Sequence, residues 1–207
     1  MKRNSEYKDM ALRSLEGNWT KAVVASLIAF LILEIVGSSP SFLVDPVPGM
    51  VWQGVITIML LPLAWGYRVF FLRMAREENT DYERLFDGFS QYVRITLAEL
   101  LKGIYVLLWM LLLIIPGFVK DYSYAMTEFI LKDHPEISGE EAICQSMKMM
   151  QGHKMQLFLL DLSMIGWFIL SCLTLGIGFL FLVPYNYSAH AHFYEDLKEQ
   201  YNDINPF

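Results

Sequence analysis

The feature that most constrains this chain is a run of 33 residues, Leu162–Tyr194, without a single Asp, Glu, Lys or Arg. As one helix, the run would be about 50 Å long at 1.5 Å per residue, which exceeds the roughly 30 Å hydrocarbon core of a bilayer. The segment Thr174–Gly178 contains two glycines, which lower the cost of leaving the helix near the middle of the run. The run therefore predicts two apolar helices joined as a hairpin.

Three other stretches are similarly poor in charge. Ala22–Val44 contains one charged residue, Glu34, while Val47–Tyr67 and Gly103–Val119 contain none. Each is close to the roughly 20 apolar residues that a membrane-spanning helix needs. These stretches predict three further spans.

The segment Gly117–Asp133 is harder to interpret. It is mostly apolar and aromatic and begins at a Pro-Gly helix break, but it carries Lys120, Asp121 and Glu128. It either crosses the membrane or lies in the interface. We expect it to cross, because otherwise two lysines that follow it would move to the opposite side and spoil the charge asymmetry described below.

The predicted fold is therefore all-α, a polytopic membrane helix bundle in which residues 1–207 form a single integral membrane domain. Six transmembrane helices are expected in three hairpins, at about 19–38, 49–75, 96–115, 117–133, 155–173 and 178–198.

Composition and charge agree with this class. Residues of the AVILMFWYC set make up 55% of the chain, charged residues make up only 18%, and the mean hydropathy is +0.35. A soluble domain is less apolar and more highly charged. The net charge of −6 argues against nucleic acid as a partner, because phosphate binding needs a basic surface.

The basic residues are distributed asymmetrically in the six-span topology. Fifteen of the 16 Lys and Arg residues fall on one face, and Lys120 alone falls on the other. The positive-inside rule makes the first face cytoplasmic. We expect both termini to lie in the cytoplasm.

Two amphipathic segments separate the hairpins. Thr80–Glu83 and Ser138–Glu141 both have the form of a capping box, S/T-x-x-E. They predict interfacial helices at about 81–94 and 138–151. These helices either seat the bundle at the membrane surface or present an apolar face to lipid or a partner protein. The candidate face consists of Leu85, Phe86, Phe89, Ile143, Met147 and Met150.

Several short motifs occur in a characteristic order along the second half of the chain. They are Ile115–Gly117, Tyr122–Thr127, Ile130–Asp133, Glu140–Ala142, Ser146–Met147, Gly152–Lys154, Ile165–Trp167, Leu173–Gly178 and Pro184–Tyr185. In this order they resemble the bacterial integral membrane family catalogued as domain of unknown function 975. The Ile115–Gly117 turn followed by the E-A-x-x-x-S pattern of Glu141–Ser146 is also similar to the membrane domain found fused to some glycerophosphodiester phosphodiesterases, although no catalytic domain of that kind is present in this sequence. The resemblance implies a multi-pass protein of the bacterial inner membrane and supplies no activity and no functional residues.

Charged groups within membrane helices are costly and are candidates for function. Five such residues suggest a polar pathway: Glu128 and Asp161 in the inner half, and Glu34, Lys120 and Asp121 in the outer half. The pathway would bind a cation or relay protons. Alternatively, each residue lies near an interface or is paired inside the bundle, for example Lys120 with Glu34 or Asp121.

Sequence signatures of catalysis are absent: there is no H-E-x-x-H, no G-x-S-x-G and no P-loop. His190 and His192 are two residues apart, so a regular helix cannot direct both to one metal. We expect no enzyme activity, no cofactor and no metal. The leading interpretation is a membrane protein that interacts with lipids or a protein partner. The alternatives are a small transporter or channel component and, more weakly, an intramembrane enzyme.

Overall fold

In the computed structural model the chain is helical, and no strand occurs in residues 2–36 and 46–204, which are the residues that the structure describes. The side chains of residues 34–36, 46–50 and 203–204 lie outside this description. The helices are α1 (Asn4–Leu15), α2 (Trp19–Phe30), α3 (Pro46–Ala75), α4 (Tyr92–Leu112), α5 (Ile114–Tyr124), α6 (Thr127–Asp133), α7 (Gly139–Met149), α8 (Lys154–Leu162), α9 (Ile165–Leu173) and α10 (Phe179–Ile204). A π-helical turn, Leu31–Val36, follows α2, and a 3-10 helix, Tyr82–Gln91, precedes α4. The predicted all-α class is confirmed.

Helix α1 lies outside the helices predicted from the sequence. Tyr7, Ala11 and Leu15 recur every four residues and are fully buried, so α1 packs one face into the protein. The ring of Tyr7 lies 5.2 Å from that of Phe193 in α10. The axes of α1 and α2 differ by 93°, and Gly17 between them has a positive φ of 78°.

The interfacial helix predicted at 81–94 differs in type and length from the helix in the structure. The segment is a 3-10 helix packed tightly on α3, and it runs directly into α4. A methyl group at Gly66 would come within 2.1 Å of the Leu85 carbonyl oxygen, and one at Gly88 within 2.3 Å of the Pro62 carbonyl oxygen. The helix begins after Asp81 without a side-chain cap, so Thr80 does not form the predicted capping box. Tertiary contact with α3 decides the structure of this segment.

Helices α4 and α5 form the second hairpin, whose turn is a single extended residue, Leu113. The two helices pack antiparallel, so residues earlier in α4 contact residues later in α5. Near the turn, Gly117 abuts Met110, and further from it the rings of Tyr105 and Tyr124 lie 6.3 Å apart.

Helices α9 and α10 form the third hairpin, and the predicted turn at 174–178 is confirmed. Gly176 has a φ of 89°, a value that favours glycine. Gly178 is so close to Ser171 of α9 that a methyl group there would lie 2.7 Å from the Ser171 Cα.

The range 155–173 contains α8 and α9, which are separated by two turn residues and together form one apolar helical segment, as predicted. The predicted span 117–133 is broken, because it contains the separate helices α5 and α6. At this break the hydroxyl of Ser146, in α7, accepts the N–H of Met126 at 3.2 Å and donates to the Ser123 carbonyl at 2.9 Å. A buried side chain thus replaces backbone hydrogen bonds that the continuous helix would have made.

Three helical segments of the described chain are long and apolar enough to cross a membrane: Val51–Ala75, Tyr82–Leu112 and Lys154–Leu173. The bent pair Asn4–Leu15 and Trp19–Leu33 passes the same test when taken together. Apolar side chains at the hairpin turns are strongly exposed, with Ile115 at 77% and Leu175 at 96%.

Helix α7 begins as predicted. Ser138 accepts the N–H of Glu141 at 3.2 Å, and the Glu141 carboxylate accepts the N–H of Ser138 at 2.7 Å, which is a complete capping box. The backbone N–H of Ser138 lowers the pKa of the Glu141 carboxyl.

The candidate partner face must be corrected. Leu85, Ile143 and Met150 are buried inside the protein, because the segments that carry them pack on α3, α4 and α6 instead of lying free. Phe86 and Phe89 remain exposed, and Met147 is half-buried.

Candidate functional site

Glu128 of α6 is buried at the centre of an ionic cluster. Its carboxylate accepts hydrogen bonds from Arg68 of α3 and Lys102 of α4. Lys102 also lies 3.2 Å from the carboxylate of Glu99, one turn earlier in α4. Only 3% of the Glu128 side chain is exposed, so both cations are needed to compensate for its desolvation.

Asp161 of α8 is the centre of a second polar cluster. Its carboxylate lies 2.6 Å from Nε2 of His190 and accepts the Tyr122 hydroxyl at 3.0 Å and the Asn186 amide at 3.2 Å. Since His190 and Asn186 both lie on α10, this cluster ties α8 and α5 to α10.

The two clusters line one cavity of about 200 Å³, which we call the polar cavity. Its lining includes five charged residues and one histidine: Arg68, Lys102, Asp121, Glu128, Asp161 and His190. The structure therefore brings together Glu128, Asp161 and Asp121, three of the five residues of the predicted pathway.

Asp121 differs from the other two carboxylates. It is exposed, and no hydrogen bond or ion pair joins it to another residue in the part of the chain that the structure describes. Arg68, which also lines the polar cavity, keeps 33% of its side chain exposed although it contacts Glu128 and Tyr187. A guanidinium has five N–H groups, and these two contacts leave some of them for a ligand.

An apolar groove of about 520 Å³ adjoins the polar cavity, and Asp161 and Tyr187 belong to the walls of both. The remaining walls of this apolar groove are Phe158, Leu162, Met164, Ile165, Phe168, Phe179, Leu182, Val183 and Asn186. It runs between α8–α9 and α10 toward the turn of the third hairpin. Leu162, Ile165 and Phe168 are about half exposed, so the groove opens on the apolar surface of the protein.

Lys120, the fourth residue of the predicted pathway, does not line the cavity. It lies 4.8 Å from the centre of the Trp109 ring and 4.0 Å from Sδ of Met147, and no ion pair joins it to Asp121 in the part of the chain that the structure describes. The fifth residue is Glu34, whose side chain lies outside the described residues.

His190 and His192 of α10 bond to different residues. His190 bonds Asp161, whereas Nε2 of His192 lies 2.6 Å from the Ser14 hydroxyl. Asp196, one turn after His192, accepts the Tyr7 hydroxyl and the Lys2 N–H. Within residues 2–36 and 46–204, no three His, Cys, Asp or Glu side chains converge as a metal site would require.

A third ionic cluster lies where several helix ends meet, and we call it the charged base. Asp133, at the end of α6, accepts from Arg76 at 2.7 Å, from Lys198 at 2.6 Å and from the Tyr194 hydroxyl at 2.9 Å. Arg76 also donates to Glu195 at 2.8 Å. The charged base fastens the end of α3 to α6 and to the last turns of α10.

Sequence reasoning selected the acids of the polar cavity and missed their partners. The predicted helices 49–75 and 96–115 contain Arg68 and Lys102, but the charge count treats both as cations of the cytoplasmic face, because each lies at the edge of or beyond an uncharged run. In the structure both residues lie within α3 and α4 and point to Glu128. The signal that could have revealed them is the apolar helical pattern that continues through Val69–Leu72.

Comparisons with known proteins give one match. The family model described as "Protein of unknown function (DUF975)" matches residues 1–119 and 110–201. No curated protein and no solved structure matches the chain.

Proposed function

We propose a function for this chain, which belongs to the DUF975 family of proteins of unknown function: it is a multi-pass protein of the bacterial inner membrane that binds lipid and is not an enzyme. The observation that carries the proposal is the exposed apolar surface of the helical hairpins. Leu111, Ile115, Leu173 and Leu175 are each at least 75% exposed. Continuous apolar surface of this kind is rare on soluble monomers and is expected where lipid covers it.

The six-span topology is part of the proposal and has structural support. Six crossings require the ends of α3, α6 and α10 and the start of α4 to lie on one side of the membrane. The charged base joins the first three of these ends, and Arg94, at the start of α4, donates to the carbonyls of Leu131 and Ile137 beside it. The basic residues collected there make this side cytoplasmic, with both termini.

Extraction of native membranes tests the proposal. The protein is expected to remain in the pellet after alkaline carbonate treatment and to need detergent for a monodisperse elution profile. Release by carbonate, or a monodisperse peak in plain buffer, would contradict it. A soluble protein expressed in the same cells provides the control for complete lysis.

A transporter is the second candidate function, because Glu128 and Asp161 line one cavity. The test is proton flux into liposomes that contain the full chain and a trapped pH-sensitive dye. A transporter should acidify the lumen under a pH gradient, and D161N should abolish the flux. A flux no greater than that of empty liposomes rejects this candidate.

A protein partner would bind the exposed aromatic side chains of the 3-10 helix. The Phe86 and Phe89 rings lie 6.2 Å apart and Tyr92 continues the row. Crosslinking in cells tests this interaction: F86E should remove a crosslinked species that the wild-type chain forms. An unchanged crosslinking pattern rules out this surface.

A further inference from the structure

The polar cavity and the apolar groove adjoin, the first lined by charged side chains and the second mainly by apolar ones. Asp161 and Tyr187 belong to the walls of both. A ligand that fills both parts must be amphiphilic, because the groove offers no charged group beyond Asp161. The candidate ligands for the two parts together are therefore lipid-like molecules.

The charges at the polar end are of both signs. Arg68 and Lys102 balance the two carboxylates of Glu128 and Glu99. The remaining charged groups of the lining are the carboxylates of Asp121 and Asp161, and the partly exposed Arg68 guanidinium keeps N–H groups for a ligand. A purely anionic headgroup would meet two carboxylates, and a purely cationic one would meet the guanidinium. A zwitterionic headgroup places its phosphate near Arg68 and its ammonium near the carboxylates.

The direction of the groove fits a phospholipid in the inner leaflet. The groove extends from Asp161 along α8 and α9 to Phe168. On the facing helix α10 it extends from Tyr187 to Phe179, so it leads away from the charged base. A phospholipid has the same order, with its headgroup near the membrane surface and its acyl chains toward the bilayer centre. The half-exposed wall formed by Leu162, Ile165 and Phe168 allows it to enter sideways from the bilayer.

We propose that the polar cavity and the apolar groove together bind one phospholipid whose zwitterionic headgroup carries a primary ammonium group. The ammonium group donates hydrogen bonds to Asp121 and Asp161, the phosphate accepts from Arg68, and an acyl chain lies in the groove. This inference rests on the proposed membrane function and specifies the lipid.

Native mass spectrometry of the full chain, released from a neutral detergent, tests the inference. Phosphatidylethanolamine and phosphatidylglycerol with identical acyl chains are added in equal amounts. The wild-type protein should retain phosphatidylethanolamine at least about tenfold more than phosphatidylglycerol, as one or two hydrogen bonds to a charged group would give. Equal retention of the two lipids would overturn the inference.

Two variants test the binding of the headgroup and the binding of the acyl chain separately. D121N removes an exposed carboxylate that has no partner among the described residues, so folding is expected to be unaffected. It should lower the retention of phosphatidylethanolamine by about tenfold and leave phosphatidylglycerol unchanged. V183W fills the groove and should lower the retention of both lipids.

The controls make each outcome decisive. E199Q removes an exposed carboxylate of α10 far along the chain from the groove and should bind like the wild type. A lipid preference that survives D121N, or lipid retention that survives V183W in a protein with unchanged circular dichroism, would overturn the inference. If carbonate extraction keeps the protein in the membrane while the two lipids bind equally, only this inference fails and the proposed membrane function stands.

Discussion

At the scale of single residues, the bundle depends on buried carboxylates that are matched by cations from other helices. Glu128 joins α3, α4 and α6 through Arg68 and Lys102. Its position was predictable, because a charge within an apolar stretch stands out in the sequence. Its partners were not, because the sequence does not state which helices pack together.

Removing the Glu128 carboxylate should be strongly destabilising. E128Q leaves the guanidinium of Arg68 and the ammonium of Lys102 close together without their shared anion, which costs about 3–5 kcal/mol for a buried pair. Thermal unfolding in detergent, followed by circular dichroism, measures the effect. E199Q, in which the replaced carboxylate is exposed, should unfold like the wild type. Equal unfolding temperatures for the two variants would show that the cluster contributes nothing.

At the scale of elements, local signals were reliable only where no neighbour overrides them. Both hydrogen bonds of the capping box at Ser138 form, because the side chains of Ser138 and Glu141 are exposed even though Gly139 between them packs tightly on Ala98 of α4. The same motif at Thr80 fails, because Gly66 and Gly88 let the 3-10 helix approach α3 until backbone meets backbone. Such close contact depends on a distant segment, so no local pattern predicts it.

This contact predicts a difference between two glycines of one helix. G66A would place a methyl group against the Leu85 carbonyl and should lower the unfolding temperature. G54A lies in the same helix with nothing within 4 Å, so it should be neutral or stabilising by about 0.5–1 kcal/mol, since alanine favours helix. Equal effects of the two variants on thermal unfolding would contradict the close packing.

The break between α5 and α6 predicts a role for Ser146. S146A leaves the N–H of Met126 and the carbonyl of Ser123 without the hydroxyl that joins them, at a cost of about 1–3 kcal/mol. S90A is a matched control, because Ser90 is exposed and bonds only within its own turn. Thermal unfolding of the two variants compares them, and an S146A protein as stable as S90A would refute the role.

At the scale of the whole molecule, hydropathy predicted the hairpins better than it predicted the site. The turn at Leu173–Gly178 and the pairing of α4 with a following helix were readable from uncharged runs and glycines. The break in the fourth span was not, since it depends on Ser146, which lies in a different helix. The polar cavity is lined by residues of α3, α4, α5, α6, α8 and α10, so its geometry is a property of the assembled bundle.

The central claim is that the hairpins cross the membrane and that all of their turns lie on the side opposite the charged base. Labelling with a membrane-impermeant thiol reagent tests it most directly, in a background where both native cysteines are replaced by serine. Single cysteines at Leu113 and Leu175 probe the turns of the second and third hairpins, one at Ser39 probes the connection predicted between the first two spans, and one at Asp203 probes the end of α10. We expect the first three positions to react in right-side-out vesicles and Asp203 to react only in inverted ones. Labelling of any turn from the same side as Asp203 would contradict the account.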